Sequence, residues 1–215
     1  MQKLSQVIFD CDGVLVDSEI LANRVEVEVK TSLGFPITLE EQISKFVGCG
    51  MSHPVMVAEL QRLPKDYWQI VDRRCDEVYR AELKSIEGVL ETLQKLNVPK
   101  CVASSSEPEY LKMKLASTGL SEFFPIGVFH GRSVKRPKPE PDLFLHAVEK
   151  MGWLAEECLV IEDSVHGVRA GKSAGMIVCG FLGGSHILPG HADKLKAAGA
   201  DYLVSDIRNV LRFFA

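Results

Sequence analysis

The sequence predicts an α/β protein: a doubly wound parallel sheet covered by helices on both faces, with an all-helical segment inserted after the first strand. Three observations lead there. From Gly88 onward, short apolar runs alternate with segments of helical periodicity, the pattern of strands joined by helical crossovers. Between Ser18 and Lys84 the alternation stops and only helical spacing remains. The polar residues able to do chemistry fall at the ends of the apolar runs, where a doubly wound sheet gathers its site.

Gln6 to Asp10 is an apolar run closed by an aspartate and Gly13, a buried strand entering a loop. Leu21, Val25, Val29 and Leu33 then recur at near-helical spacing until Gly34 and Pro36 stop the segment. Thr38 followed by Glu41 is a capping box that opens a second helix. Pro54 to Leu63 and Asp66 to Leu83 read as two more. Lys100 to Ala103 is a strand, Glu107 to Thr118 a helix, Gly127 to Phe129 a short strand and Pro141 to Met151 a helix. Leu159 to Ile161, Met176 to Gly180 and Asp201 to Val204 are strands; Ser164 to Ala174 is a helix, and another helix ends the chain. The expected division is a catalytic core from residues 1–17 and 86–215 and a helical cap from 18–85.

At 215 residues the chain is long enough to bury a core without disulfide or metal staples. Its six cysteines form no CxxC pair and sit mostly in apolar runs, as reduced buried thiols do in a cytoplasm. No signal-peptide core precedes the first aspartate, and the longest uncharged stretch, 173–192, is rich in glycine. A cytoplasmic location and no membrane partner are expected. The net charge of −4 gives nucleic acid no electrostatic footing. It leaves open a small anionic substrate met by a local positive charge.

Four strand ends carry the chemistry: Asp10-Cys11-Asp12-Gly13, Ser104-Ser105-Ser106, Lys138-Pro139 in the loop after the third strand, and Glu162-Asp163-Ser164. Each alone is an ordinary turn or cap; together they form a constellation. Asp10, Asp12, Glu162 and Asp163 concentrate negative charge with oxygen ligands only, which favours Mg²⁺ over zinc. Lys138 and the amides of the helix opening at Ser104 to Ser106 suit a phosphate dianion. Of two such aspartates, one can attack phosphorus while the other handles protons at the leaving group.

The segments Asp10 to Ser18, Val102 to Ser104, Lys138 to Asp142 and Ile161 to Ser164 resemble the four motifs of the haloacid dehalogenase superfamily, in its phosphatase and β-phosphoglucomutase group, along essentially the whole chain. The resemblance implies a Rossmann-like core under a helical cap. It implies Asp10 as nucleophile, forming an aspartyl-phosphate, and Asp12 as acid/base with its backbone carbonyl on Mg²⁺. Ser104 and the Ser105 amide would hold the phosphoryl group, with Lys138 neutralising charge. Asp163 would complete the metal site, helped by Glu162. Dehalogenases of the superfamily lack the second aspartate, so Asp12 points to phosphorus chemistry.

Mutases of the group carry a histidine where this chain has Ala22, and an arginine after the cap glycine where it reads Gly48-Cys49-Gly50-Met51. Hydrolysis is therefore expected over phosphoglucomutase activity. The alternatives are a sugar-phosphate mutase and a non-catalytic phosphometabolite-binding module. Tyr79 to Glu82 resembles the 6-phosphogluconate phosphatases of the group. The expected substrate is a small phosphorylated metabolite, a sugar phosphate or sugar-acid phosphate such as 6-phosphogluconate. Gly48, Gly50 and Arg80, with Lys84 beside it, are the cap candidates for specificity. The histidines show no ligand spacing and are expected in loops or at the surface; Arg132, Lys135 and Arg136 are expected in a solvated loop.

Overall fold

In the computed structural model, residues 4–47 and 53–214 are described. Six strands form one parallel sheet: β1 (Gln6–Phe9), β2 (Lys100–Ser104), β3 (Val128–His130), β4 (Cys158–Glu162), β5 (Ile177–Phe181) and β6 (Tyr202–Val204). Their order is β3-β2-β1-β4-β5-β6, so strand order reverses between β1 and β4. Alternation of side chains along β1 feeds two cores. Val7 and Phe9 pack on one face with Val102, Leu111 and Ile161; Ile8 packs on the other with Cys101, Phe144 and Val160. Strands buried on both faces read as unbroken apolar runs, which is why they are visible in sequence.

Helices α1 (Ser18–Ser32), α2 (Leu39–Phe46), α3 (Pro54–Arg62) and α4 (Tyr67–Glu82) lie between β1 and β2. The core continues with α5 (Val89–Lys95), α6 (Pro108–Ser117), α7 (Asp142–Met151), α8 (Val165–Ser173) and α9 (His191–Ala198). The Thr38 capping box forms as expected, with the Glu41 amide donating to the Thr38 hydroxyl. Two helices escaped the sequence reading. At seven residues α5 is too short to display a period, and α9 follows a run of glycine and proline that reads as turn. The expected terminal helix is instead a 3₁₀ stretch, Ile207–Phe213, whose bonds span three residues, as from Phe214 N to Leu211 O at 3.1 Å.

The chain enters and leaves the helical insert at one place. Asp17 N donates to Lys84 O at 3.1 Å, Ile86 N donates to Leu15 O at 3.0 Å, and Val16 bridges Ser85. The two connections are therefore laced together directly above the end of β1. Among the described residues of the insert one cation is buried: Lys30 donates to Gln42 Oε1 at 2.8 Å, pairs with Glu59 at 3.4 Å and lies 3.9 Å from the centre of the Phe46 ring. Among the described residues, removing it leaves Glu59 with its exposed partner Arg62 alone. Lys30→Ala should therefore destabilise the protein by about 3 kcal/mol, the low end for a broken buried pair. Lys30→Met, which keeps the stem packed on Phe46, should cost less; chemical denaturation of both variants measures the difference.

Candidate active site

The reversal of strand order opens a crevice at the carboxyl ends of β1 and β4. Phe9 pairs with Ile161, and the Asp10 amide donates to Ile161 O at 3.0 Å, so Asp10 stands beside Glu162. Carboxylate oxygens of Asp10, Glu162 and Asp163, all buried, lie within 4.8 Å of one another. Lys138 reaches into this group: Nζ donates to Asp10 Oδ1 at 2.9 Å, to Glu162 Oε1 at 2.7 Å and to Ala103 O at 3.0 Å. The second oxygen of Glu162 accepts from the amide and hydroxyl of Ser164, the N-cap of α8.

Burial pushes the Asp10 carboxyl well above the usual carboxylate range, and Glu162 and Asp163 add to this against the pull of Lys138. Asp163 is raised for the same reason, against a hydrogen bond from His186. Burial alone lowers Lys138, but Asp10 and Glu162 outweigh it and raise the ammonium. Such a site has an excess of negative charge and a place for a hard cation.

Asp12, two residues on, faces different company. Its carboxylate accepts from the hydroxyls of Ser18, Ser104 (3.2 Å) and Ser106 (2.6 Å) and forms an ion pair with Lys114, 5% exposed. Burial drives Asp12 upward, but Lys114 and the hydroxyls of Ser106 and Ser18 overcome it and hold the carboxyl at about 2. Asp12 is therefore an anion at every physiological pH.

Residues 7–181 match the haloacid dehalogenase-like hydrolases. The chain belongs to that family. It is 30% identical over 197 residues to a 6-phosphogluconate phosphatase of Escherichia coli, covering 88% of this chain and 87% of the relative. It is 31% identical to a phosphorylated carbohydrates phosphatase of Thermotoga maritima, covering 97% and 99%. A conserved haloacid dehalogenase-like protein of unknown function from Agrobacterium tumefaciens superposes with a TM-score of 0.90 at 35% identity, covering 98% and 97%. With its phosphatase relatives, this family member is a phosphoric monoester hydrolase.

In this haloacid dehalogenase-like hydrolase, Asp10, Asp12, Ser104, Lys138, Glu162 and Asp163 converge on one crevice. The Asp12 carboxylate stands outside the cluster of Asp10, Glu162 and Asp163. The Ser104–Ser106 loop is not a helix start: α6 begins at Pro108, so the amides available to an anion are those of a bend. Ser105 is exposed in that bend, while the Ser106 amide donates to Ser104 Oγ at 3.1 Å. Gly48 and Gly50 lie outside the described residues. Arg80 points to solvent and pairs with Asp76 at 2.9 Å, one helical turn back. Arg132 and Arg136 pair at the surface with Glu107 and Asp142.

The histidines need correction. His186 is 2% exposed and its Nε2 lies 3.0 Å from Asp163 Oδ2, while His191 Nε2 donates to the Asp163 carbonyl at 2.6 Å. Both come from the glycine-rich stretch after β5, which the topology folds back over the crevice. Lys114 and Ser18 were also missed as site members, and Ser106, expected to offer its amide, instead gives its hydroxyl to Asp12. Lys114 sits on the buried side of α6, where a lysine in a helical period looks like solvent-facing polarity. Two glycines make room: Gly13 holds φ +72°, and a Cβ on it would meet Asp163 Oδ2 at 2.0 Å. A Cβ on Gly167 would lie 1.6 Å from Glu162 Oε1.

Gly167→Ala should therefore drive Glu162 off Lys138 and lower kcat/KM by about 100-fold, the usual cost of a displacement of an ångström at a reacting centre; steady-state kinetics measure it. A second expectation concerns Glu19, at the start of α1. Burial, then the charges of Asp12 and Asp163, push its carboxyl up to about 7. The folded protein thus holds this proton more tightly than the unfolded chain does. Stability falls as pH rises from about 4.5 to 7, by up to about 3 kcal/mol. In metal-free buffer Glu19→Gln should raise the melting temperature at pH 8 and leave it nearly unchanged at pH 4.5; thermal denaturation at the two pH values tests the sign.

Proposed function

We propose that this protein is a Mg²⁺-dependent phosphatase of small phosphorylated metabolites, sugar phosphates or sugar-acid phosphates, acting through an aspartyl-phosphate on Asp10. The observation that carries the reading is the division between the two aspartates. Asp10 lies among Lys138, Glu162 and Asp163. Asp12, two residues away, lies among hydroxyls and Lys114 on the side facing the helical insert. One strand end thus presents a nucleophile and a proton-handling group in separate environments.

The donor set fits magnesium. Asp10, Glu162 and Asp163 offer oxygen ligands only, close together and buried. When bound, the ion neutralises charge shared by these carboxylates and the phosphoryl oxygens. Lys138 already offsets part of that charge. The Ser104 hydroxyl and the Ser105 amide hold the phosphoryl group. Asp10 attacks phosphorus, the bond to the leaving oxygen breaks, and that oxygen takes its proton through Asp12. In the resting protein the proton of the Asp12–Lys114 pair resides on Lys114 Nζ, because Asp12 is held at about 2 and Lys114 is raised by the same contact. Asp12 then deprotonates the water that releases phosphate from Asp10 and returns that proton to Lys114.

Residues 18–85 serve as a cap over the core of 1–17 and 86–215. The laced connections above β1 support a cap that closes over the crevice and excludes bulk water. Ala22 lines the cleft between insert and core. The absence of an imidazole at that position supports hydrolysis over phosphoryl transfer between sugar hydroxyls.

Asp10→Asn should reduce phosphate release more than 1,000-fold while leaving the fold intact, because the change is isosteric and removes the attacking charge. Activity should vanish with EDTA and return with Mg²⁺ but poorly with Ca²⁺, whose looser and larger shell misplaces the phosphoryl group. Phosphate release within tenfold of wild type from the Asn variant, or full activity without metal, would overturn the reading.

A further inference from the structure

Between the helical insert and the core lies a cleft of about 180 Å³. Ser106 and Lys114 form its floor, and both touch the Asp12 carboxylate, so the cleft opens onto the side of the site where the leaving oxygen departs. Its walls come from α1 and α4 of the insert, with Tyr110 of α6 opposite. The position follows from the fold, but what the cleft accepts follows from its lining.

That lining is aromatic and acidic. Trp68, Tyr79 and Tyr110 supply ring faces and edges, and Glu26 and Asp72 supply carboxyl groups. Lys114 is its one cation, already committed to Asp12 and Ser106. Arg80, on the same helix as Trp68 and Asp72, is turned away to Asp76. A carboxylate arriving in this space meets two acids and no free positive group among the lining residues. A hydroxyl meets groups that suit it. Trp68, a lining residue, has an Nε1 that is buried and without a hydrogen-bond partner among the described residues. Glu26, whose Oε2 accepts from Tyr67 and Gln42, and Asp72 are acceptors for hydroxyl protons. Rings that flank the space suit the apolar faces of a sugar or polyol. The volume falls below the roughly 300–1,000 Å³ of sites for drug-sized ligands, which favours a small leaving group over a nucleoside or flavin.

We propose that this cleft selects an uncharged, polyhydroxylated leaving group, a monosaccharide or polyol of six carbons or fewer, and discriminates against a leaving group that carries a carboxylate. The proposal rests on the phosphatase reading and narrows it: sugar and polyol monophosphates are substrates, and sugar-acid phosphates are poor ones. Asp72 is a specificity-determining residue through its charge, and Trp68 through its N–H.

Glucitol 6-phosphate and 6-phosphogluconate test this directly, since they share length and phosphate and differ at one end by a hydroxymethyl against a carboxylate. The full chain with Mg²⁺ is assayed for phosphate release from each, and each is titrated as a competitive inhibitor of p-nitrophenyl phosphate hydrolysis. The expected result is a kcat/KM at least tenfold higher for glucitol 6-phosphate, with the same order in the inhibition constants. Asp72→Asn should narrow that ratio at least threefold by improving 6-phosphogluconate. Trp68→Phe should lower kcat/KM for glucitol 6-phosphate severalfold. If p-nitrophenyl phosphate is hydrolysed but 6-phosphogluconate is equal or preferred, or the ratio is unmoved by Asp72→Asn, the inference falls and the phosphatase reading stands. If no phosphate is released from any of the three and neither metabolite competes, the phosphatase reading falls and takes the inference with it.

Discussion

The arrangement of this protein depends on one electrostatic constraint: four carboxylates gathered at the ends of two adjacent strands, balanced by two buried lysines. Asp10, Glu162 and Asp163 are buried within reach of one another, and Asp12 follows two residues behind. Such a concentration of like charge, taken out of water, is costly unless paired. Lys138 answers the first group and Lys114 answers Asp12. The lysines are delivered from different places, one by the loop after β3 and the other by α6 on the β2 side of the sheet. The parallel topology holds those places together: β1 lies between β2 and β4, so the loop after β1 meets the carboxylates at the end of β4 on one side and, on the other, the elements after β2 and β3 that supply both cations.

The same constraint explains the small residues. Gly13 and Gly167 have no Cβ because carboxylate oxygens occupy the volumes a Cβ would take. Ser164 performs two tasks at one helix start, capping α8 through the Gly167 amide and fixing Glu162 by its own amide and hydroxyl. A helix terminus thereby orients a carboxylate with hydrogen bonds rather than with bulk. On the other side of Asp163, His186 and His191 hold the side chain and the backbone carbonyl. The site is therefore enclosed by a third layer, drawn from the segment after β5.

How much of this was legible in the sequence follows from which signals are local. The strands and their polar tips were legible because burial on both faces leaves apolar runs and the sheet places chemistry where each run ends. Asp10, Asp12, Ser104, Lys138, Glu162 and Asp163 were found this way, each as a residue at a strand end or in the loop after one. Lys114, His186 and His191 were not, because none lies beside a strand end in sequence. Lys114 sits ten residues past Ser104, inside a helix, where its spacing matches a surface lysine as well as a buried one. His186 comes near Asp163 only because the glycine-rich segment after β5 folds back across the crevice. Arg80 shows the converse. Its place on the last helix of the insert was compatible with facing the substrate, but the helix phase that buries Cys75, Val78 and Tyr79 turns it to solvent.

The connection between chemistry and selectivity runs through α6. Its Tyr110 and Lys114 lie one turn apart on the same face, so the residue that pairs with Asp12 and the residue that walls the leaving-group cleft move as one rigid element. Across the cleft, Tyr79 of α4 lies edge-on to Tyr110 at 6.3 Å between ring centres, and the Lys114 ammonium lies 5.0 Å from the Tyr79 ring centre. The Tyr110 hydroxyl also donates to the Asp72 carbonyl at 3.1 Å. Insert and core therefore meet through residues that line the cleft proposed for the leaving group. In the proposed reading, a substrate that fits between Trp68 and Tyr110 settles into those contacts before its phosphate reaches Asp10. One that disturbs them also disturbs the hold of Lys114 on Asp12. Binding energy from the remote part of the substrate is in this way coupled to the proton-handling group, which is where selectivity for the leaving group becomes selectivity in rate.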